Sequence, residues 1–342
     1  MDRKWFLQLL GMGGIGSVIY SGHEESNGSR HQITKPKRLR KGDRIGLVSP
    51  ASKLPHRSEY REIIRQIKSL GYKVKVGSNA KKEYGGFAGT DEQRAADLNS
   101  MFADHSIEAI LPFRGGWGSN RILDLLDFDI IRNNPKILVG FSDITSLLLA
   151  IYAKTGLITF HGPVGKSDWT DYTIRHFDEA LTTEDKYTLE TPGNDFCETC
   201  NDLHVITPGK ATGRLLGGNL SVLTAMIGSD YLPDWKGNIL FVEDVGEDYY
   251  RIDRMITQLE LSGILDEISG FIFGQCTDCE KSGPDSLPLN KVLEDHVKSL
   301  GIPAFSGAMF GHISNTITIP EGVMAEMDAE KGTIRLKEAA TS

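Results

Sequence analysis

Short apolar runs alternate along this chain with longer segments in which apolar residues recur every three or four positions. The short runs are typical of buried strands, and the recurring positions are typical of amphipathic helices. Strand and helix in regular alternation predict a parallel sheet covered by helices on both faces. In the first half, the predicted strands are 44–49, 72–76, 107–113 and 137–141, and the predicted helices are 59–70, 91–102, a segment beginning near Ser119, and 143–154.

The alternation resumes near Gly209, after a stretch of weak, polar periodicity that we interpret as a linker over residues 167–207. The predicted fold class is therefore α/β, with an N-terminal domain at 37–166 and a C-terminal domain at 208–338. In the second domain, a Gly-Gly-Asn turn at 217–219 precedes a helix at 220–227, the other predicted helices are 251–262 and 289–300, and the predicted strands are 238–242, 270–273, 316–319 and 333–336.

Residues 1–22 have the composition of an export signal. Arg3 and Lys4 precede a short apolar core, and small residues follow it. The start also resembles a twin-arginine signal with lysine in place of the second arginine. We therefore expect an exported, periplasmic protein without stable membrane insertion after signal removal, and a cytoplasmic protein is the alternative. Residues 23–36 are polar and are predicted to form a disordered lead-in.

The chain has 342 residues and a net charge of −8. Phosphate binding requires a basic face, so this balance of charge argues against nucleic acid as a main partner. Beyond the N-terminal segment, no run approaches the roughly 18 apolar residues that span a membrane. The composition therefore leaves globular enzymes and ligand-binding proteins as the classes to distinguish.

The four cysteines form two Cys-x-x-Cys pairs, Cys197/Cys200 and Cys276/Cys279. Two such pairs can hold zinc through four thiolates, but their separation is far longer than in a compact zinc ribbon. In an exported protein, disulfides are equally reasonable. We expect structural cysteines, free or in disulfides, with zinc as the alternative. The chemistry considered below requires no metal or organic cofactor.

The stretch Ile107–Leu126 combines an apolar run, a glycine-rich turn and a helical pattern. Gly115, Gly116 and Gly118 precede Ser119, and a sharp turn from strand to helix presents the serine in a nucleophile elbow. Glycines permit the positive φ that such a turn needs. The free N–H groups at the start of a helix favour a developing negative charge. We therefore predict that Ser119 is a catalytic nucleophile.

Ser142 is a rival, because the segment Gly140–Asp143 also follows a predicted strand and opens a helix. A serine at such a place is commonly only an N-cap that accepts the first free N–H groups. Ser119 could equally be an N-cap. The glycine run that precedes Ser119, and that Ser142 lacks, favours Ser119 as the nucleophile.

A serine hydroxyl becomes a good nucleophile when a histidine held by a carboxylate takes its proton. Of the nine histidines, His161 and His312 lie in loops just after apolar runs. A glycine before His312 and a strand after it suit a loop that projects into a cleft. Glu243, at the end of a predicted strand, is the carboxylate candidate, and Asp244 and Glu247 are its local competitors.

Six motifs occur in order over roughly residues 37–337. They are Arg114–Ser119, Gly140–Thr145, Phe160–Pro163, Leu216–Leu220, Phe241–Glu247 and Gly311–His312. Together they resemble the LD-carboxypeptidases, serine peptidases of the S66 type. The resemblance implies a Rossmann-like N-terminal domain, a strand-rich C-terminal domain and a triad assembled across their interface. It places the serine, glutamate and histidine on Ser119, Glu243 and His312.

The resemblance implies hydrolysis of the bond between an L-centred diamino acid, typically meso-diaminopimelate, and the terminal D-alanine of murein tetrapeptides. On this hypothesis, His312 takes the proton of Ser119 while Glu243 holds the imidazole. The backbone N–H of Asn120, with that of Gly116 as the second donor, would hold the oxyanion.

A carboxypeptidase must also recognise a free terminal carboxylate, which matches the fork of a guanidinium group. Arg114 and Arg121 flank the glycine run and are the candidates, although each could form an ordinary ion pair instead. Trp117 stands where the family commonly has tyrosine, and we expect it to contact the substrate. The family also suggests a homodimer.

Two alternatives stay open. A sister branch of the family cleaves peptidyl- or aminoacyl-nucleotides of the microcin type with the same triad, so the triad alone does not identify the substrate. A periplasmic ligand-binding protein would also combine an export signal with α/β domains around a cleft. That second alternative gives no reason for a serine on a triple-glycine turn.

Overall fold

The computed structural model describes residues 32–191 and 200–342. The predicted export segment at 1–22, the lead-in as far as residue 31, and Cys197 lie outside the described residues. Within the described ranges, no helix combines the length and the apolar character needed to cross a bilayer.

The end of the predicted lead-in is ordered rather than disordered. Thr34 forms a parallel bridge with Leu157. Its N–H donates to Gly156 O at 2.8 Å, and its carbonyl accepts from Ile158 N at 2.9 Å. These bonds attach the chain to the body of the protein before the first strand begins.

The described strands are β1 Arg44–Val48, β2 Lys73–Val76, β3 Ala109–Pro112, β4 Ile137–Gly140, β5 Thr159–His161, β6 Thr188–Glu190, β7 His204–Thr207, β8 Lys210–Asn219, β9 Ile239–Val245, β10 Gly270–Thr277, β11 Ala304–Ser306, β12 Ile319–Glu321, β13 Met324–Asp328 and β14 Thr333–Leu336. The α-helices are α1 Arg57–Ser69, α2 Asp91–Ala103, α3 Phe128–Asn133, α4 Thr145–Thr155, α5 Asp171–Thr182, α6 Leu220–Thr224, α7 Tyr249–Leu261, α8 Ile264–Glu267 and α9 Leu289–Val297. Short 3₁₀ helices occupy Ser119–Leu125, Ser142–Ile144 and Lys298–Leu300.

The first sheet has the strand order β12-β5-β4-β3-β1-β2 among the described residues. Its neighbours are parallel except for β12, which runs antiparallel to β5. Every residue of β3 and β4 is buried, because helices cover both faces of a parallel sheet. The carboxyl ends of parallel strands lie at one edge, so the turns that follow β3 and β4 meet there.

The second sheet has the order β6-β14-β13-β8-β9-β10-β11-β7. Strands β8 to β11 are parallel neighbours, and antiparallel strands flank them on both sides. This mixed, strand-rich sheet together with the parallel first sheet confirms the predicted fold class. At its centre, Asn219 of β8 pairs with Glu243 of β9.

His31–Ser342 fall into one compact unit. Strand β12, from the predicted C-terminal domain, pairs with β5 and completes the first sheet. The predicted C-terminal domain therefore contributes a strand to the sheet of the predicted N-terminal domain. The domain limits themselves stay predictions.

Residues 167–207 contain more structure than the linker that was predicted there. They include α5 as well as the short strands β6 and β7. The buried face of α5 mixes Phe177 and Leu181 with the polar Thr173 and His176. Because these polar residues interrupt the apolar pattern, the helix is inconspicuous in the sequence.

Candidate active site

Glu243 in β9 and His312 in the loop before β12 form a hydrogen-bonded pair. The distance between His312 Nδ1 and Glu243 Oε2 is 2.8 Å. An ionised carboxylate can only accept, so Nδ1 carries the proton and donates it, and Nε2 of the neutral ring is free to act as a base. The Glu243 side chain is fully buried, whereas that of His312 is 21% exposed. A buried carboxylate thus holds an imidazole that a ligand can reach.

The electrostatics of this pair suit a general base. Burial alone would raise the pKa of Glu243, but attraction to His312 and hydrogen bonds from His312 and Asn219 hold it below its ordinary value. Burial alone would lower the pKa of His312, but the charge and hydrogen bond of Glu243 raise it above its ordinary value. Each partner therefore stabilises the charged form of the other.

Ser119, the serine favoured by the sequence, is fully buried. Its hydroxyl lies 2.5 Å from Asp143 O and 2.7 Å from Ser146 Oγ, and its N–H donates to Asp143 Oδ2 at 2.8 Å. A hydroxyl enclosed in this way is not accessible to a substrate carbonyl. The geometry therefore argues against Ser119 as the nucleophile and gives it a supporting role beneath the next turn.

Ser142, the rival serine, has the geometry of a nucleophile elbow. It follows β4 and begins the 3₁₀ helix that continues into α4. Its φ is 61°, a left-handed value that few non-glycine residues adopt and that marks a strained strand-to-helix turn. Its side chain is only half-buried. These features fit a serine that is presented to a ligand.

The Ser142 turn lies beside the Glu243–His312 pair. The ring of Phe141 is 4.8 Å from the ring of His312, measured between centroids. Within the described residues, no hydrogen bond joins His312 to Ser142 or Ser119. Ser142 is therefore assigned to the site by its neighbourhood and backbone geometry.

Asn219, which the sequence placed only in a turn, connects the acids to the helix that follows Ser142. Its Nδ2 donates to Glu243 Oε1 at 3.2 Å and to Asp244 Oδ1 at 3.1 Å. Its backbone N–H donates to Thr145 Oγ1, in the first turn of α4, at 2.9 Å. The Gly-Gly-Asn turn that precedes a predicted helix was the sequence signal for this residue.

The two competitors of Glu243 have other partners. Burial, with the neighbouring carboxylate, raises the pKa of Asp244 to about 7. Asp244 accepts hydrogen bonds from Ser221 N at 3.0 Å and Val245 N at 2.9 Å. Glu247 lies 3.7 Å from Arg251 Nε. Neither arrangement holds the histidine.

The glycine run leaves space beside Ser142. A Cβ atom on Gly115 would lie 3.1 Å from Ser142 Cβ and 3.2 Å from its Oγ, and 3.3 Å from Asp143 N. Gly116, a predicted oxyanion donor, is exposed and has a φ of 111°. Asn120, the other predicted donor, follows the buried serine, whereas the N–H adjacent to Ser142 belongs to Asp143.

The two candidate arginines differ. Arg121 forms an ion pair with Asp91 at 2.9 Å and lies over the ring of Phe87 at 5.0 Å. For this arginine, the ordinary ion pair is therefore the observed arrangement. The guanidinium of Arg114 donates only a long bond of 3.4 Å to Lys53 O. Within the described residues, it has no carboxylate partner. Arg114 is thus the arginine that is available to a substrate.

Trp117 is an exposed aromatic side chain next to this site, with 56% of its surface accessible. Its ring packs on Phe87, with centroids 4.2 Å apart, and its backbone N–H donates to Ser52 Oγ at 3.2 Å. The side chain is therefore held in place on one face while the other face is open to solvent.

His161, the other candidate histidine, is fully buried. Burial lowers its pKa to about 4, so it is neutral at ordinary pH. Its ring lies among Phe241 and Phe310, at centroid distances of 5.5 and 5.8 Å. Neither ring nitrogen has a hydrogen-bond partner within the described residues. It has no access to a substrate and is not a base of the site.

Cys276 and Cys279 form a disulfide, and Cys200 is also disulfide-bonded. Of the states considered for the second Cys-x-x-Cys pair, the disulfide is therefore the observed one. In the described part of the chain, no cluster of three or more His, Cys, Asp or Glu side chains could hold a metal ion.

Comparison with known proteins supports the resemblance inferred from the motifs. Residues 45–162 match the LD-carboxypeptidase N-terminal domain, and residues 212–327 match the LD-carboxypeptidase C-terminal domain. A Bacillus subtilis protein named "Probable murein peptide carboxypeptidase" is 39% identical over 87% of this chain and 93% of its own length. The murein tetrapeptide carboxypeptidase of Pseudomonas aeruginosa is 30% identical over 84% of this chain and 94% of its own length.

A solved structure shows the same fold. The structure of MccF in complex with glutamyl sulfamoyl guanosine superposes with a TM-score of 0.82 and 29% identity, and covers 90% of this chain and 99% of its own. Motifs, fold and relatives agree, and this chain is an enzyme that belongs to the LD-carboxypeptidase family of serine peptidases.

Proposed function

We propose that this enzyme removes the terminal D-alanine from murein tetrapeptides by hydrolysing its bond to the L-centre of a diamino acid, typically meso-diaminopimelate. The observation that carries the proposal is the 2.8 Å bond between His312 and Glu243 beside the strained Ser142 turn. The relatives named for murein peptides support this substrate class. In this proposal, Ser142 replaces Ser119 as the nucleophile of a Ser-His-Glu triad.

The proposed reaction passes through an acyl-enzyme. His312 Nε2 takes the proton of Ser142 Oγ as that oxygen attacks the carbonyl carbon of the L-centre, while Glu243 stabilises the imidazolium. The oxyanion is held by the N–H of Asp143, the residue after the nucleophile, and by that of Gly116. The C–N bond then breaks, and the histidine gives its proton to the amine of D-alanine. Water hydrolyses the ester and restores the serine.

In this proposal, a positively charged side chain gives the enzyme its specificity for the free C-terminal carboxylate of the peptide. Arg114 lies beside the glycine run and has no carboxylate partner among the described residues, so its guanidinium can pair with the free carboxylate of D-alanine. Trp117 provides the adjoining wall of the site.

The test measures D-alanine release from a murein tetrapeptide, with the same peptide ending in a C-terminal amide as the matched control. We expect stoichiometric release from the free acid and at least about 100-fold slower release from the amide, since the amide lacks the charge that Arg114 recognises. Failure to release D-alanine from the free acid would falsify the proposal.

A second candidate function is hydrolysis of aminoacyl-nucleotides of the microcin type. The observation in its favour is the 0.82 TM-score against MccF bound to glutamyl sulfamoyl guanosine. Cleavage of an aminoacyl sulfamoyl adenylate, measured beside the tetrapeptide, decides between the two. A higher kcat/KM for the adenylate would favour this second function.

We also propose that the enzyme acts after export, in the periplasm. The support is the basic start and apolar core of residues 1–22. Sequencing the N-terminus of the protein purified from its native host tests this: a mature chain beginning near residue 23 is expected, and a chain that retains Met1 in the cytoplasmic fraction would contradict it.

A further inference from the structure

The histidine loop, defined as residues 310–316, is held from two sides. On one side, Gly311 has a φ of 125°, and a Cβ atom there would lie 3.1 Å from Glu243 Oε2. On the other side, the loop is bonded to residues 168–173, in the stretch that the sequence suggested was a linker. Only the first contact involves the acid that holds His312.

Thr173, in the first turn of α5, is the centre of the second contact. Its side chain is fully buried. Its hydroxyl donates to Ser314 O at 2.9 Å and accepts from Thr316 N at 3.2 Å. One hydroxyl therefore satisfies two backbone groups in the part of the loop that follows the histidine.

Two further bonds flank this one. Ser314 Oγ donates to Asp168 Oδ2 at 2.7 Å, and Thr170 Oγ1 donates to Asn315 Oδ1 at 2.7 Å. Thr170 is also the N-cap of α5, where it accepts from Thr173 N at 3.2 Å. The start of the helix and the histidine loop thus share one hydrogen-bond network.

We propose that Thr173 is a positioning residue, which fixes the direction of the His312 imidazole through the backbone of the histidine loop. This inference rests on the proposed function, in which His312 is the base. A base must stay within hydrogen-bond reach of the proton that it takes, and a misplacement of about 1 Å can cost about 10²-fold in rate. Without the hydroxyl, Ser314 O and Thr316 N lose their buried partner and the loop relaxes away from the serine.

The experiment compares three variants in the full enzyme. Thr173→Val removes the hydroxyl at nearly constant size, and Thr173→Ser retains it. Thr182→Val is the matched control, because its hydroxyl bonds to Asp178 O, at 2.7 Å, inside the same helix. We expect kcat for D-alanine release to fall about 10- to 100-fold in T173V with KM nearly unchanged, and to stay within about threefold of the parent in T173S and T182V.

The pH profile of kcat/KM separates positioning from a general loss of stability. The titratable groups that act on His312 are Glu243 and Asp244 of β9 and His161 of β5. In T173V a looser contact with Glu243 raises the pKa of the base less, so the acid limb moves to lower pH. In T182V the acid limb stays in place.

Equal kcat values and equal pH midpoints in T173V and T182V overturn the inference. If T173V does not fold, as judged by its melting curve, Ser314→Ala takes its place, since it removes only the bond from the loop to Asp168. We then expect kcat about threefold lower with the midpoint moved the same way, and unchanged values overturn the inference. If the parent enzyme releases no D-alanine, the proposed function fails instead.

Discussion

Two neighbouring strands of the first sheet, β3 and β4, each lead into a turn with a serine and a helix, and the two turns differ in what is exposed. The turn after β3 has the glycines, and its Ser119 is buried between Asp143 O and Ser146 Oγ. The turn after β4 has no glycine beyond the strand, and its half-buried Ser142 takes a φ of 61°.

The sequence suggested that one turn contains both the glycine run and the nucleophile. The structure instead divides these two features between neighbouring turns. The glycine at 115 lets the two turns pack closely, because a Cβ atom there would lie 3.1 Å from the Cβ of Ser142 in the other turn. The strained backbone presents Ser142, the proposed nucleophile, and such strain is retained only where the surrounding structure holds it. Ser119 contributes to that support by donating its N–H to Asp143 Oδ2 at 2.8 Å.

Replacing each serine by alanine tests the comparison most strongly. We expect Ser142→Ala to lower kcat by about 10⁴-fold or more, since it removes the attacking oxygen. Ser119→Ala should cost about 1 kcal/mol of stability through a lost buried hydrogen bond and leave kcat within about tenfold. Initial rates of D-alanine release and thermal melts measure both. The opposite ranking of the two kcat values would restore Ser119 as the nucleophile.

Glu243→Gln tests which turn the acid–histidine pair serves. The base works as neutral histidine, so activity falls as pH drops through the pKa of His312, which Glu243 holds above its ordinary 6.5. Removing the charge should lower kcat by about 10²- to 10⁴-fold and move the acid limb to lower pH. The measurement is kcat/KM against pH in E243Q and in Ser119→Ala. If the acid limb moves in S119A as it does in E243Q, the division between the turns is wrong.

Replacing single glycines by alanine is the third test of the comparison between the two turns, and we expect it to have the smallest effect on kcat. Gly115→Ala pushes against Ser142 and should lower kcat about tenfold with little change in stability. Gly118→Ala is the control, because its φ is 103° and its Cβ would lie 2.4 Å from the Phe87 ring. It should cost about 1–3 kcal/mol of stability while the folded enzyme keeps its kcat. Equal losses of kcat in both variants would show that the glycine run acts as one loop.

The regular helices were predictable because the spacing of apolar residues within one segment is enough to indicate a helix. The patterns at 59–70 and 91–102 predicted α1 and α2 to within two residues at each end. Helix α5, within the stretch at 167–207, was missed because polar Thr173 and His176 lie on its buried face.

The site was predictable where a residue type indicates its chemistry. An acid at a strand end and a histidine after a glycine pointed to Glu243 and His312, which the structure places 2.8 Å apart. Ser142 could not be preferred, because a positive φ on a non-glycine residue depends on the contacts of the folded turn and leaves no mark in composition. Thr173 was equally hidden, since its partners are backbone groups far away in the sequence.

The position of β12 has a consequence for biosynthesis. The ribosome makes β5 long before its neighbour β12, and His312 is also among the late residues. A nascent chain that ends before His312 holds the serine and the glutamate but lacks the base and the edge strand. On the proposed mechanism, we therefore expect no peptidase activity during translation, and we expect premature termination or proteolytic trimming from the carboxyl end to yield an inactive polypeptide.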